Sequence, residues 1–163
     1  MRHWLALLVL SASCAAPARA PLASATTLTG QTVVTLAGER TDLGHVTEGR
    51  VALVSLWATW CDACTKEIDA LNRVAARTAD RHDAMVVGVA VGESVASVDA
   101  FRRHHDMSYV QLVDEDFSLA DALGQRRVPA TLVIDRAGRI VYRGDVLDGE
   151  GLAAFRGALK GEL

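Results

Sequence analysis

A chain of 163 residues that is 50% hydrophobic and 23% charged is not a disordered protein, and its length suits one domain plus a short appendage. A formal net charge of −3 argues against nucleic acid as a partner. Cys14, Cys61 and Cys64 are too few for a disulfide scaffold, and the odd count requires that one cysteine be set apart.

Residues 1–25 read as an export segment with a short lead-in, and residues 26–163 as a single domain. Arg2 precedes a short apolar run over residues 4–10, and small residues follow, a layout too short to span a membrane as a helix. Ala18-Arg19-Ala20, Ala16-Pro17-Ala18 and Ala23-Ser24-Ala25 each offer a cleavage site. Ser11-Ala12-Ser13-Cys14 offers instead a lipoprotein box, in which Cys14 becomes a lipid-bearing N-terminus. Every route sets Cys14 apart from redox chemistry and places the domain in the periplasm or cell envelope.

Residues 26–30 read as a polar, flexible lead-in, and 33–36 as a first strand before a turn at Gly38. Residues 51–56 are nearly continuously apolar, the mark of a strand buried on both faces. One helix is predicted over 62–78, with Ile68, Leu71 and Ala75 on its inner face. A valine-rich strand over 84–91 follows, then a helix capped by Ser94 with Val95, Val98 and Phe101 inward. A short strand over 109–113 leads to a short helix through Leu119 and Leu123, closed by Gly124. Residues 131–135 and 140–142, joined by Arg136-Ala137-Gly138, predict an antiparallel hairpin. Asp148 caps a last helix that turns Leu152, Phe155 and Leu159 inward. Strands alternating with helices, then a hairpin and a helix, predict a three-layer α/β sandwich with a mixed central sheet.

The chemistry gathers at Cys61 and Cys64. Cys-x-x-Cys alone serves zinc sites and redox sites alike; here it follows a buried strand and opens a helix, where unpaired N–H groups favour an anion. That lowers the thiol pKa of Cys61 below its free value and makes it the attacking thiolate. Cys64, one turn on, is placed to resolve a mixed disulfide. A zinc site would need further ligands; there is no second cysteine pair, and His45, His82, His104 and His105 have no close spacing to the first. A disulfide kept only for stability would close too short a loop to contribute much.

Trp57-Ala58-Thr59-Trp60-Cys61-Asp62-Ala63-Cys64 after an apolar strand, with Val128-Pro129-Ala130-Thr131-Leu132-Val133-Ile134-Asp135 and Gly138-Arg139-Ile140 later, resembles the TlpA/ResA-like thiol–disulfide oxidoreductases of the bacterial cell envelope, in the thioredoxin superfamily. The resemblance spans residues 30–160. It implies a thioredoxin-like α/β/α sandwich and a cis Pro129 facing the cysteine pair, with the Val128 backbone pairing with substrate chain. It implies that Trp60 shapes the site and that Glu67 tunes thiol acidity and relays protons. No organic cofactor is implied, because the Cys61–Cys64 pair is itself the redox centre. Implied partners are disulfides of envelope proteins, apocytochromes c and copper-site proteins among them, and a membrane thiol carrier as electron donor; a monomer is expected.

Three positions depart from the family pattern, and a fourth bears on the thiol. Ala63 and Asp69 stand where prolines are usual, and Ser55 stands where thioredoxins bury an acid. Asp62 adds a like charge beside Cys61, which opposes a very low thiol pKa and favours a reducing couple. Arg126 and Arg127, just ahead of Pro129, border the site and favour acidic partners. Two other readings use the same pair: a Cu(I)-binding thiol metallochaperone, and a thiol peroxidase, for which no peroxidatic motif is visible.

Overall fold

The structure, a computed structural model, describes residues 28–162. The export segment, its cleavage sites and Cys14 lie outside the described residues. Among the described residues no helix is long and apolar enough to cross a membrane.

Seven strands form one sheet: β1 (Thr32–Thr35), β2 (Arg40–Asp42), β3 (Val51–Trp57), β4 (Ala84–Val91), β5 (Val110–Asp114), β6 (Ala130–Ile134) and β7 (Ile140–Gly144). Their order across the sheet is β2-β1-β5-β4-β3-β6-β7. The two central pairings, β3 with β4 and β4 with β5, are parallel; the flanking ones are antiparallel, so the sheet is mixed as expected.

Every residue of β3 and β4 is buried, which explains their nearly continuous apolar composition, with Ser55 the polar exception. Alternate side chains serve two separate cores. Ala52, Val54 and Leu56, with Val87 and Val89, pack towards α1 (Leu43–Thr47) and α5 (Ser118–Ala122). Val51, Leu53 and Trp57, with Val86 and Ala90, pack towards α3 (Ile68–Thr78), α4 (Val95–His104) and α6 (Gly149–Lys160). The result is a three-layer α/β sandwich.

Local signals work largely as read. The Ser94 side chain accepts from the Ser97 N–H, and that of Asp148 from the Gly151 N–H, capping α4 and α6. At the β6–β7 turn the Asp135 carboxylate accepts from the N–H groups of Ala137 and Arg139, both at 2.9 Å. In the core the Trp57 indole N–H donates to Gln111 Oε1 at 3.1 Å. Gly88 makes room for this bond, since a Cβ there would come within 2.4 Å of Gln111 Oε1 and 2.9 Å of the indole nitrogen.

Three expectations need correction. The lead-in is anchored, because Leu28 is buried in the first core and its carbonyl accepts from Gly44. β2 and α1 were not anticipated: the first is three polar residues on an edge and the second five residues capped by Asp42, both too short to show a period. The helix predicted over 62–78 is two, α2 (Asp62–Thr65) and α3. It is pinched at Lys66 and Glu67, where the Glu67 N–H donates three residues back to Cys64, in the tighter 3₁₀ manner. No proline is involved; Asp69 occupies that place.

Candidate active site

The parallel strands β3 and β4 run in register, and the crevice beyond their carboxyl ends is where open α/β sheets place their sites. β3 ends at Trp57, and residues 58–60 lead into the one-turn helix α2. Cys61 is the N-cap of that turn: its Sγ accepts from the Cys64 N–H at 3.1 Å and is bonded to Cys64 Sγ in a disulfide. The N–H group that faces the sulfur in the disulfide is the one that would stabilise a thiolate after reduction. Because α2 is a single turn pinched off from α3, this stabilisation comes from a local N–H rather than from a long helix. Cys61 and Cys64 are both buried, within the core layer beneath α3 and α6.

Glu67 sits at the pinch. Its Oε1 accepts from the Leu147 N–H at 2.7 Å, while Oε2 is buried without a hydrogen-bond partner among the described residues. Burial pushes its carboxyl above the usual range, and the Leu147 bond offsets part of that. Tyr109 lies close enough to feel the same charge; burial pushes its hydroxyl well up, Gln111 pulls it down, and ionised Glu67 adds to the rise. Glu67 is tied to the pair through the backbone, since its N–H donates to the Cys64 carbonyl at 3.0 Å.

The Val128–Pro129 peptide is cis. Ala130 pairs with Leu56 across the antiparallel β3–β6 register, which brings residue 129 to the end of the sheet where the cysteines lie. Val128 is half-buried and packs against both cores. Trp60 stands outward, 73% exposed. With Val128, Arg126 and Arg127 it lines a cavity of ≈ 400 Å³; Trp60 and Val128 are the chain neighbours of Cys61 and Pro129. Lys66 and Asp69 are exposed.

One residue escaped the sequence reading. The Glu93 carboxylate, on the turn after β4, accepts from Thr59 N–H at 2.9 Å and Thr59 hydroxyl at 2.5 Å on Oε1, and from the Ser97 hydroxyl at 3.1 Å on Oε2. It ties the loop that carries Trp60 and Cys61 to the start of α4. The available signal was an acid between a buried strand and an N-cap serine, in the turn beside the Cys-x-x-Cys loop. Glu93→Ala is expected to cost about 1–2 kcal/mol in denaturant unfolding. It should also speed hydrogen exchange at the Thr59 amide, with Glu93→Gln restoring most of both; unchanged exchange at Thr59 would show that the carboxylate does not hold the loop.

A family model described as the AhpC/TSA family matches residues 19–143. The thioredoxin-like protein YneN of Bacillus subtilis (strain 168) is 31% identical over 107 residues, covering 65% of this chain and 62% of that protein. The thiol-disulfide oxidoreductase ResA of the same organism is 27% identical over 104 residues, covering 64% of this chain and 57% of that one. The matched stretch thus spans 62% and 57% of the lengths of these curated relatives. The solved structure of MTB DsbF in its mixed oxidized and reduced forms superposes with a TM-score of 0.68 at 26% identity, over 81% of this chain and 96% of that one.

Proposed function

Because the chain belongs to the AhpC/TSA family and has a thioredoxin-like fold, we propose that it is a thiol–disulfide oxidoreductase of the cell envelope that reduces protein disulfides. The observation that carries this reading is the Cys61–Cys64 disulfide just beyond the carboxyl end of β3, one of the parallel central strands, with Cys61 Sγ already facing the Cys64 N–H.

In the reducing direction the Cys61 thiolate attacks one sulfur of the substrate disulfide. A mixed disulfide forms and the other substrate sulfur leaves as a thiolate. Cys64, losing its proton, attacks Cys61 Sγ and expels the second substrate thiolate. Two electrons have then passed from the Cys61–Cys64 pair to the substrate and Cys61–Cys64 is oxidised; the one proton released is that of Cys64, and the two substrate thiolates take up protons from solvent. The same steps in reverse describe oxidation of a client.

Glu67 serves as the proton acceptor for Cys64, supported by its unpartnered Oε2 and raised pKa. The Val128 backbone beside Pro129 pairs with substrate chain. No organic cofactor takes part. Electrons come from a membrane thiol carrier, and apocytochromes c or copper-site proteins are the intended clients; the export segment read at residues 1–25 supports this location.

Reduced full-length protein should reduce insulin disulfides. Titration in dithiothreitol buffers should give one two-electron transition between about −180 and −270 mV. A protein that neither reduces nor oxidises any test disulfide with both thiols intact would end this reading.

A further inference from the structure

Phe117 holds a backbone conformation that phenylalanine rarely takes, with φ +63° and ψ +11° in the left-handed region. Holding it there costs about 1–2 kcal/mol. Burial of the ring does not explain it, for Phe117 is 49% exposed. The arrangement is fixed from beneath. The ring sits over Gly92, where a Cβ would come within 2.2 Å of it. The Gly92 N–H donates to the Asp114 carbonyl at 2.8 Å. The fully buried Asp114 carboxylate accepts from Leu119 and Ala120 N–H groups at 3.1 and 2.9 Å, pinning the turn on its far side. Strain held in place by the ends of β4, β5 and α5, to present an apolar ring to solvent, points to a ligand rather than to folding.

The ring faces company. Phe117 and Trp60 line the same cavity of ≈ 400 Å³, together with Arg126, Arg127 and Asp121. Among the described residues neither arginine is in an ion pair, so two free cations stand against one carboxylate. Trp60 adjoins Cys61, and Val128 on the same wall adjoins Pro129. A chain that delivers a cysteine to Cys61 and lies along Val128 passes this cavity.

We propose that the Trp60–Phe117 cavity is a specificity site for the polypeptide that carries the target disulfide. It takes a large apolar side chain next to the target cysteine, while an acidic neighbour meets Arg126 and Arg127. This rests on the oxidoreductase reading and names its substrate class: chain segments whose cysteine has apolar and acidic neighbours.

The test uses reduced full-length protein and three probes. Two are peptides, acetyl-Asp-Leu-Cys-Gly-amide and acetyl-Lys-Ser-Cys-Gly-amide, each as the mixed disulfide with 2-mercaptoethanol. The third is bis(2-hydroxyethyl) disulfide, which reports the chemistry without a chain. The wild type is expected to favour the Asp-Leu peptide over the Lys-Ser peptide by about tenfold in second-order rate constant. Phe117→Ala should lower the ratio of the Asp-Leu rate to the small-disulfide rate by about tenfold. Arg126→Glu with Arg127→Glu, both on the surface, should reverse the preference for acidic over basic neighbours. A wild type without preference, or variants that keep it, overturns the proposal. If no probe exchanges at all, the oxidoreductase reading falls instead. Tryptophan-fluorescence titration with acetyl-Asp-Leu-Ser-Gly-amide then decides the cavity: saturable binding lost in Phe117→Ala supports it, and equal binding or none overturns it.

Discussion

Reduced Cys64→Ser protein is expected to halt after the first step of exchange and to hold its partner on Cys61, whereas Cys61→Ser protein should lose exchange by at least about 10³-fold. The asymmetry follows from the N-cap geometry. Among the described residues, of the two sulfurs only Cys61 Sγ faces a backbone N–H, that of Cys64 at 3.1 Å, and backbone donation persists when the Cys64 side chain is changed to a hydroxyl. Cys61 should therefore be alkylated by iodoacetamide near neutral pH in the Cys64→Ser variant, while Cys64 in the Cys61→Ser variant reacts far more slowly. Mass spectrometry of the trapped mixed disulfide would name the client. Exchange retained by Cys61→Ser, or an inert Cys61 in Cys64→Ser, would overturn the assignment of nucleophile.

Glu67→Gln is expected to stabilise the protein at neutral pH while slowing exchange by about 10²-fold. Burial raises the native carboxyl above its ordinary value of 4.5, with the Leu147 N–H pulling partly the other way. The protonated form is thus favoured by folding. Its contribution is fully present below the unfolded value and is lost as pH rises through the raised native one. At pH 7 the ionised group, with Oε2 unpartnered, works against the fold. The gain in thermal stability of Glu67→Gln over wild type should accordingly be present at pH 7 and shrink towards pH 4. Asp114 is raised in the same direction, by burial first, with the Ala120 and Leu119 N–H groups opposing, but it is present in both proteins and drops out of the difference. In the pH–rate profile the variant should lack the ionisation assigned to the relay. An unchanged profile would make Glu67 a structural residue only, and an unchanged stability at pH 7 would mean that Oε2 has a partner.

Much of the fold was legible because its centre is buried on both faces. β3 and β4 could be seen as apolar runs, and Ser94 and Asp148 could be seen as caps, because these signals are local. Leu28, β2 and α1 were not legible, since their place depends on contacts with Gly44 and β1 rather than on any period of their own. The site divides in the same way. Cys61, Cys64 and Pro129 lie in motifs that can be read residue by residue. Glu93 acts on a loop 34 residues away, and a bare carboxylate in a turn carries no mark of that. The left-handed turn at Phe117 is equally silent, for nothing in Asp116-Phe117-Ser118 asks for a positive φ; the conformation is imposed by Gly92 and Asp114.

The outer strands of the sheet have a bearing on how such a protein handles unfolded chain. β2 is only three residues long and reads Arg40-Thr41-Asp42, and β7 carries Arg143 and ends at Gly144. The β2 edge, short and charged, gives a passing polypeptide few backbone partners for adding itself as an eighth strand, whereas β7, with Ile140, Val141 and Tyr142, is set apart by one charge only. The β2 margin thus resists templated strand addition, on the opposite side of the sheet from β6, which follows the cis Val128–Pro129 peptide.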